Sequence, residues 1–131
     1  MLRLVTVLFA LLTVLAGTAQ AAALSNASRG EIESLMSRLE ASACRFKRNG
    51  IWHTSAEART HLQRKLDYLQ RKGAVASAEQ FIERAATRSS LSGQAYWVQC
   101  GSQTPQPGGE WLLGQLRQLR AVSTTAAAAP R

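Results

Sequence analysis

Apolar residues recur with a helical period in four parts of the chain. Within each part they stand three or four positions apart and form one stripe, which predicts an amphipathic helix packed against a core. The members of the four stripes are Ile32, Leu35, Met36 and Leu39; Ala58, Leu62, Leu66 and Leu69; Ala78, Phe81, Ile82, Ala85 and Ala86; and Trp111, Leu112, Leu116 and Leu119.

The first three helices are preceded by a capping-box motif, a Ser or Thr followed three residues later by Glu or Gln. In this motif the hydroxyl oxygen accepts from a free backbone amide, and the longer side chain reaches back to the amide of the cap. The three pairs are Ser28 and Glu31, Thr54 and Glu57, and Ser77 and Gln80. We therefore predict helices from residues 28 to 41, from 54 to 71 or 72, and from 77 to the serine-rich loop at 89–93.

Two segments lose the helical period and are typical of strands. Between Cys44 and His53, the Asn49-Gly50 pair predicts a hairpin with a type I′ turn, because both residues tolerate a positive φ. Alternation places Phe46 on one face of this hairpin and its basic neighbours on the other. Residues 95–100, AYWVQC, alternate in the same way and predict one further strand.

These elements predict an α+β fold of about four short helices packed with a β-hairpin and one further strand. Residues 24–120 are long enough for a single domain with one core. Residues 102–109, SQTPQPGG, are predicted to be a loop before the last helix. The segment 121–131 has no packing pattern, so we predict a disordered tail there.

The N-terminus is typical of a signal peptide. One arginine, Arg3, precedes an apolar run from Leu4 to Leu15, and the triplet Ala19-Gln20-Ala21 follows. The run is shorter than the 18 or so residues of a membrane span, which argues against an uncleaved anchor. We predict a signal peptide over residues 1–21, with Ala23 as the alternative cleavage position, and a periplasmic or secreted protein that does not span a membrane.

The chain has two cysteines, Cys44 and Cys100, both beyond the leader. Export places them in an oxidising compartment, where such a pair forms a disulfide. Without a third ligand or a C-x-x-C motif, the pair is poorly suited to metal or redox chemistry. We predict a structural disulfide.

Charge adds a candidate binding surface. Without Arg3, fifteen Lys and Arg against eight Asp and Glu leave a net charge near +7. Export excludes nucleic acid as the partner of this charge and favours an anionic envelope component or a periplasmic protein. The cations concentrate between residues 45 and 72, on the hairpin and the next helix. The candidate binding residues are Arg45, Lys47, Arg48, Trp52, His53, His61 and Lys65.

A set of fixed spacings runs through the middle of the chain. Its members are Phe46, Arg48-Asn49-Gly50, His53, Glu57-Ala58, His61-Leu62, Lys65, Ala78-Glu79-x-Phe81-Ile82, Ser89-Ser90-x-Ser92-Gly93 and Tyr96-x-Val98. In this pattern, residues 46–98 resemble the YfeK-like family of small exported bacterial proteins, a domain of unknown function. The resemblance implies export and a shared fold, and it names no reaction, cofactor or partner.

His53, Glu57 and His61 stand four residues apart, a spacing that lines up metal ligands on a helix. The capping box, however, gives Glu57 a structural role, and His53 precedes the helix. We therefore predict no metal site, cofactor or catalytic residue, and a non-catalytic binding module that works through the basic hairpin-helix face. The alternative is a metal-assisted or histidine-based hydrolase that uses His53 and His61.

Overall fold

The structure is a computed structural model that describes Gly17 and residues 23–128. The predicted signal peptide therefore lies outside the described residues, apart from Gly17. Within the part of the chain that the structure describes, no helix is both long and apolar enough to cross a membrane.

The described residues contain four helices and four strands, which confirms the predicted α+β class. In chain order they are α1 (Asn26–Ala41), β1 (Arg45–Arg48), β2 (Ile51–His53), α2 (Ser55–Arg71), α3 (Ala78–Ala85), β3 (Trp97–Gln99), β4 (Gln106–Pro107) and α4 (Gly108–Ala128).

The strands form one antiparallel sheet in the order β2-β1-β3-β4. Asn49 and Gly50 have φ values of 50° and 80°, as the predicted type I′ turn requires. The fourth strand lies in the segment predicted to be a loop. Its two residues pair with β3 at the edge of the sheet, where a proline is tolerated because its missing N–H is not needed.

Two of the three predicted caps are confirmed. The hydroxyls of Thr54 and Ser77 accept from the backbone amides of Glu57 and Gln80. The prediction for the first helix was wrong by one turn, because Ser25 is its cap and accepts from the amide of Ser28. The two serines stand three residues apart, so either is a plausible cap on local grounds.

The last helix is longer than the sequence predicts. α4 continues to Ala128, whereas the pattern predicts a short helix ending near Arg120 and a disordered tail. Residues 121–128 are exposed throughout, so packing does not hold this extension. Half of residues 121–128 are alanine, the residue with the highest intrinsic helix propensity, and alanine favours a helix without forming an apolar stripe.

The core lies between the helices and one face of the sheet, which we call the inner face. All four predicted stripes contribute buried residues, among them Leu35, Phe81 and Leu112, and Val98 joins them from β3. The predicted disulfide between Cys44 and Cys100 is present, with the two Cα atoms 4.3 Å apart. It joins the residues that flank β1 and β3, and so fixes the centre of the sheet.

Candidate functional site

Alternation along β1 divides its basic residues between the two faces of the sheet. Phe46 packs against the core, so its neighbours Arg45 and Lys47 project to the opposite, outer face. Arg48 projects inward at the hairpin end and reaches His61 of α2. The structure therefore separates the predicted basic face into two distinct surfaces.

The outer basic face consists of Arg45, Lys47, Trp52 and Trp97. Lys47 is the central member, because it pairs in register with Trp52 of β2 and Trp97 of β3. The Lys47 ammonium lies 5.7 Å from the Trp52 ring centroid, and the Arg45 guanidinium lies 5.5 Å from it. Trp97 is 39% exposed. Flat aromatic surface and positive charge thus lie side by side.

The outer basic face carries no internal counter-charge. Among the described residues, the carboxylates that form ion pairs with arginine lie elsewhere: Glu33 and Glu40 hold Arg59, and Glu31 and Glu79 hold Arg120. Neither Arg45 nor Lys47 has such a partner in this part of the chain. The positive charge of the outer basic face is therefore available to an external anion.

Four residues meet on the inner side of the hairpin: Arg48, His61, Lys65 and Tyr96, which we call the inner cluster. The Arg48 Nη1 atom lies 2.6 Å from His61 Nδ1, and His61 Nε2 lies 3.1 Å from the Tyr96 hydroxyl. The Lys65 ammonium donates to the same hydroxyl at 3.2 Å and to the Arg88 carbonyl. Tyr96 is buried, and the other three members are partly buried.

The hydrogen bonds of the inner cluster determine the state of His61. A guanidinium only donates, so Nδ1 must accept from Arg48, and the proton of the neutral ring is on Nε2. Nε2–H then donates to the Tyr96 oxygen, which also accepts from Lys65. Tyr96 thus accepts twice and keeps its own hydroxyl proton for another acceptor.

Burial and neighbouring positive charge favour the neutral imidazole. Desolvation, followed by the charges of Arg48, Lys65, Arg64 and His53, lowers the pKa of His61 to about 4. Desolvation, then Arg48, also lowers the pKa of Lys65. Burial raises the pKa of Tyr96, with Arg48 opposing. The inner cluster therefore holds the positive charges of Arg48 and Lys65 close together, and none of its members is a carboxylate.

The inner cluster borders a small cavity of about 40 Å³. Arg48, His61 and Tyr96 stand at this cavity together with His53 and Glu57, and the rest of its wall is mostly apolar. The apolar wall residues are Leu39, Phe46, Ala58, Leu62, Ala86, Val98 and Leu112. A polar, cationic edge thus adjoins apolar surface in this cavity.

His53 and His61 line the same cavity but have different partners. His53 Nδ1 lies 3.0 Å from a Glu57 carboxylate oxygen, while His61 is held between Arg48 and Tyr96. Glu57 therefore uses its backbone amide for the cap and its carboxylate for His53, which corrects the expected capping-box role of that carboxylate. No three possible metal ligands converge within the described ranges, 17 and 23–128.

The serine-rich loop holds the hairpin turn in position. The Asn49 amide nitrogen donates to the buried Ser89 hydroxyl at 3.3 Å, and the Ser92 hydroxyl donates to the Asn49 amide oxygen at 2.5 Å. These contacts fix the residue that follows Arg48. Ser89, Ser92 and Tyr96 were not among the predicted binding residues. The alternation of residues 95–100 puts Tyr96 on the same face as Val98, and this pattern is the signal that could have identified it.

The low pKa of His61 predicts a loss of stability in acid. Between about pH 6.5 and 4, the His61 imidazole binds a proton in the unfolded chain but stays neutral in the folded protein. The free energy of unfolding therefore falls as pH falls. Since solvent reaches the half-buried ring, we expect about 1–2 kcal/mol rather than the full value of the shift. Urea unfolding at pH 7 and pH 4 measures it.

His61→Gln is the matched variant for this measurement, because glutamine keeps an acceptor and a donor but does not titrate. Its stability should change less between the two pH values than that of the unmodified protein. His53→Gln should retain most of the pH dependence, because the main causes of the low His61 pKa, burial and the Arg48 charge, are unchanged in this variant. An identical pH dependence in the unmodified protein and His61→Gln would contradict the assignment.

Comparison with known protein families identifies the family of this chain. The family model described as "Family of unknown function (DUF5329)" matches residues 26–120. No curated protein and no solved structure shows significant similarity to the chain. The match spans every element from α1 to the packed part of α4, and its description assigns no activity.

Proposed function

The chain belongs to the DUF5329 family, whose function is unknown, and we propose that it is an exported binding module for acidic glycans of the cell envelope. The proposed ligand site is the outer basic face. Export rests on the signal-peptide pattern of residues 1–21, and the disulfide is compatible with a periplasmic or secreted location. The finer resemblance to the YfeK-like family stays a prediction.

The observation that carries this proposal is the row in which Lys47 stands between Trp52 and Trp97 across three strands. A sugar ring presents flat C–H surface that packs on an indole, and the carboxylate of an acidic sugar is attracted to a neighbouring ammonium or guanidinium. Both requirements are met within one patch. An acidic polysaccharide offers this combination repeatedly along its length.

Charge elsewhere on the molecule supports the same choice. Arg59 and Arg120 are neutralised by two carboxylates each, so they contribute little external field. Arg45 and Lys47 have no such partner among the described residues. Because exposed charges are screened within about 10 Å at 0.1 M salt, a glycan responds mainly to the local patch and less to the net charge.

Hydrolysis finds less support. The His53–Glu57 pair would orient a general base, yet no Ser, Thr or Cys side chain within the described part hydrogen-bonds either imidazole. The Ser89 and Ser92 hydroxyls of the 89–93 loop are engaged with Asn49 and with the loop backbone. A binding function needs no nucleophilic side chain beside the imidazoles, so it fits the observed geometry better.

Reversing the two outer charges should weaken glycan binding. We expect Arg45→Glu/Lys47→Glu to lower the affinity for polygalacturonate at least tenfold at low salt, because it turns local attraction into repulsion. Trp97→Ala should lower affinity severalfold by removing the stacking surface. Calorimetric titration with polygalacturonate, and with dextran as the uncharged comparison, measures both effects.

Arg71→Glu/Lys72→Glu is the matched control, since it changes the net charge equally at two exposed residues at the end of α2. Its affinity should stay within about twofold of the unmodified protein at moderate salt. Equal losses in the two double variants would reduce the interaction to net charge and overturn the proposed site. Equal binding to dextran would overturn the role of the carboxylates.

A further inference from the structure

The inner cluster has more hydrogen-bond donors than acceptors. Among the hydrogen bonds of the described residues, the Arg48 guanidinium uses Nη1 alone, toward His61, which leaves its Nε–H and Nη2–H groups for another acceptor. The Tyr96 hydroxyl accepts from His61 and Lys65, so its own proton is also uncommitted. Arg48 and Tyr96 both line the cavity.

Charge at the cavity is equally one-sided. Glu57 is the one carboxylate among the lining residues, and it is paired with His53 at 3.0 Å. Partly buried cations without a counter-ion are unfavourable, and Arg48 and Lys65 also repel each other. A bound anion would offset both costs. Arg48 is suited to a carboxylate in particular, since its planar fork matches the two carboxylate oxygens.

The remaining surface of the cavity is apolar and small. Its volume of about 40 Å³ is enough for roughly three water-sized groups, at about 15 Å³ each. Leu39, Leu62, Val98 and Leu112 supply no hydrogen-bonding side chain, so a hydrated anion such as phosphate would leave this surface uncovered. A short alkyl chain would cover it.

We propose that this cavity binds a small aliphatic monocarboxylate of about two to four carbons. The carboxylate accepts from Arg48 and from the Tyr96 hydroxyl, and the alkyl chain lies against the apolar wall. His61 acts as a positioning residue: it stays neutral, accepts from Arg48 and directs the Tyr96 hydroxyl. The site is on the opposite side of the sheet from the outer basic face and is independent of the proposed glycan function.

Titration of the full chain with acetate, propionate and butyrate at pH 7, followed by NMR amide shifts, tests the site. Dissociation constants should lie in about the millimolar range for such small ligands. Affinity should increase up to about fourfold with each added methylene that is buried. Inorganic phosphate should bind at least tenfold more weakly than butyrate. No chain-length dependence, or phosphate binding equal to butyrate, would overturn the proposal.

Three variants separate the carboxylate site from folding and from net charge. Tyr96→Phe removes one donor and should lower butyrate affinity about tenfold, as should Arg48→Gln. Ala58→Leu changes no charge but fills the cavity, so it should abolish binding even if Arg48→Gln fails to fold. Arg45→Gln, on the same strand but the outer face, should bind butyrate normally. Normal binding by Ala58→Leu, or equal losses in Arg45→Gln and Arg48→Gln, would contradict this location.

Discussion

Removal of the Cys44–Cys100 disulfide is expected to lower the free energy of unfolding by about 4 kcal/mol. The two cysteines are 56 positions apart, so their bond restricts a long loop of the unfolded chain and raises the free energy of that state. The bond also ties together the two central strands of the sheet. Urea unfolding of the Cys44→Ala/Cys100→Ala variant, compared with the unmodified protein at pH 7, measures the loss.

Reductant separates the cross-link from the packing of the sulfur atoms. The unmodified protein with reductant and the double variant should lose similar stability, and reductant should leave the double variant unchanged. Because domains of this size are stable by about 5–15 kcal/mol, the loss is a large part of the total. A loss below about 1 kcal/mol in both samples would contradict a stabilising role.

Phe81→Ala is expected to cost about 3–5 kcal/mol, the range for removing a fully buried aromatic side chain. Phe81 is 0% exposed and is among the largest fully buried side chains of the described core. It lies on α3, which packs against α1, α2 and α4, so the cavity left behind would touch several helices. Denaturant unfolding measures the change in the free energy of unfolding.

Tyr68→Ala is the surface control for Phe81→Ala. Tyr68 is 53% exposed on α2, so its removal should change stability by about 0.5 kcal/mol or less. Phe81→Leu should fall between the two, since leucine fills part of the space. Similar effects for Phe81→Ala and Tyr68→Ala would show that the core is not organised around Phe81.

Local pattern was sufficient for most of the fold. The stripes containing Leu35, Leu62, Phe81 and Leu112 predicted the four helices because a helix that buries one face must repeat apolar residues at its own period. Asn49-Gly50 predicted the hairpin turn because few residues accept positive φ. These features depend only on residues a few positions apart in the chain, so they can be recognised in the sequence without knowledge of the fold.

Longer-range pairing explains where the sequence predictions fell short. Gln106 and Pro107 form a strand only because β3 offers them an edge, and two residues carry no period of their own. The motif favoured Ser28 as the first cap, because only Ser28 is followed three residues later by Glu, whereas the structure uses Ser25, a serine without a Glu or Gln at that spacing. The extension of α4 to Ala128 depends on alanine propensity without burial.

The sequence by itself determined the helices, the hairpin, the two cysteines and the separation of Arg45 and Lys47 from Phe46, because each follows from a short period or from residue type. Only the tertiary structure decided that Arg48, His61, Lys65 and Tyr96 meet beside one cavity. It also decided that the Glu57 carboxylate contacts His53, while the Glu57 backbone amide serves the helix cap. Those contacts join separate elements, and their distances follow from how α2 packs on the sheet. Both proposed binding sites use residues of β1, a strand that the sequence predicts. Each site also needs residues from other elements, which only the folded structure brings next to β1.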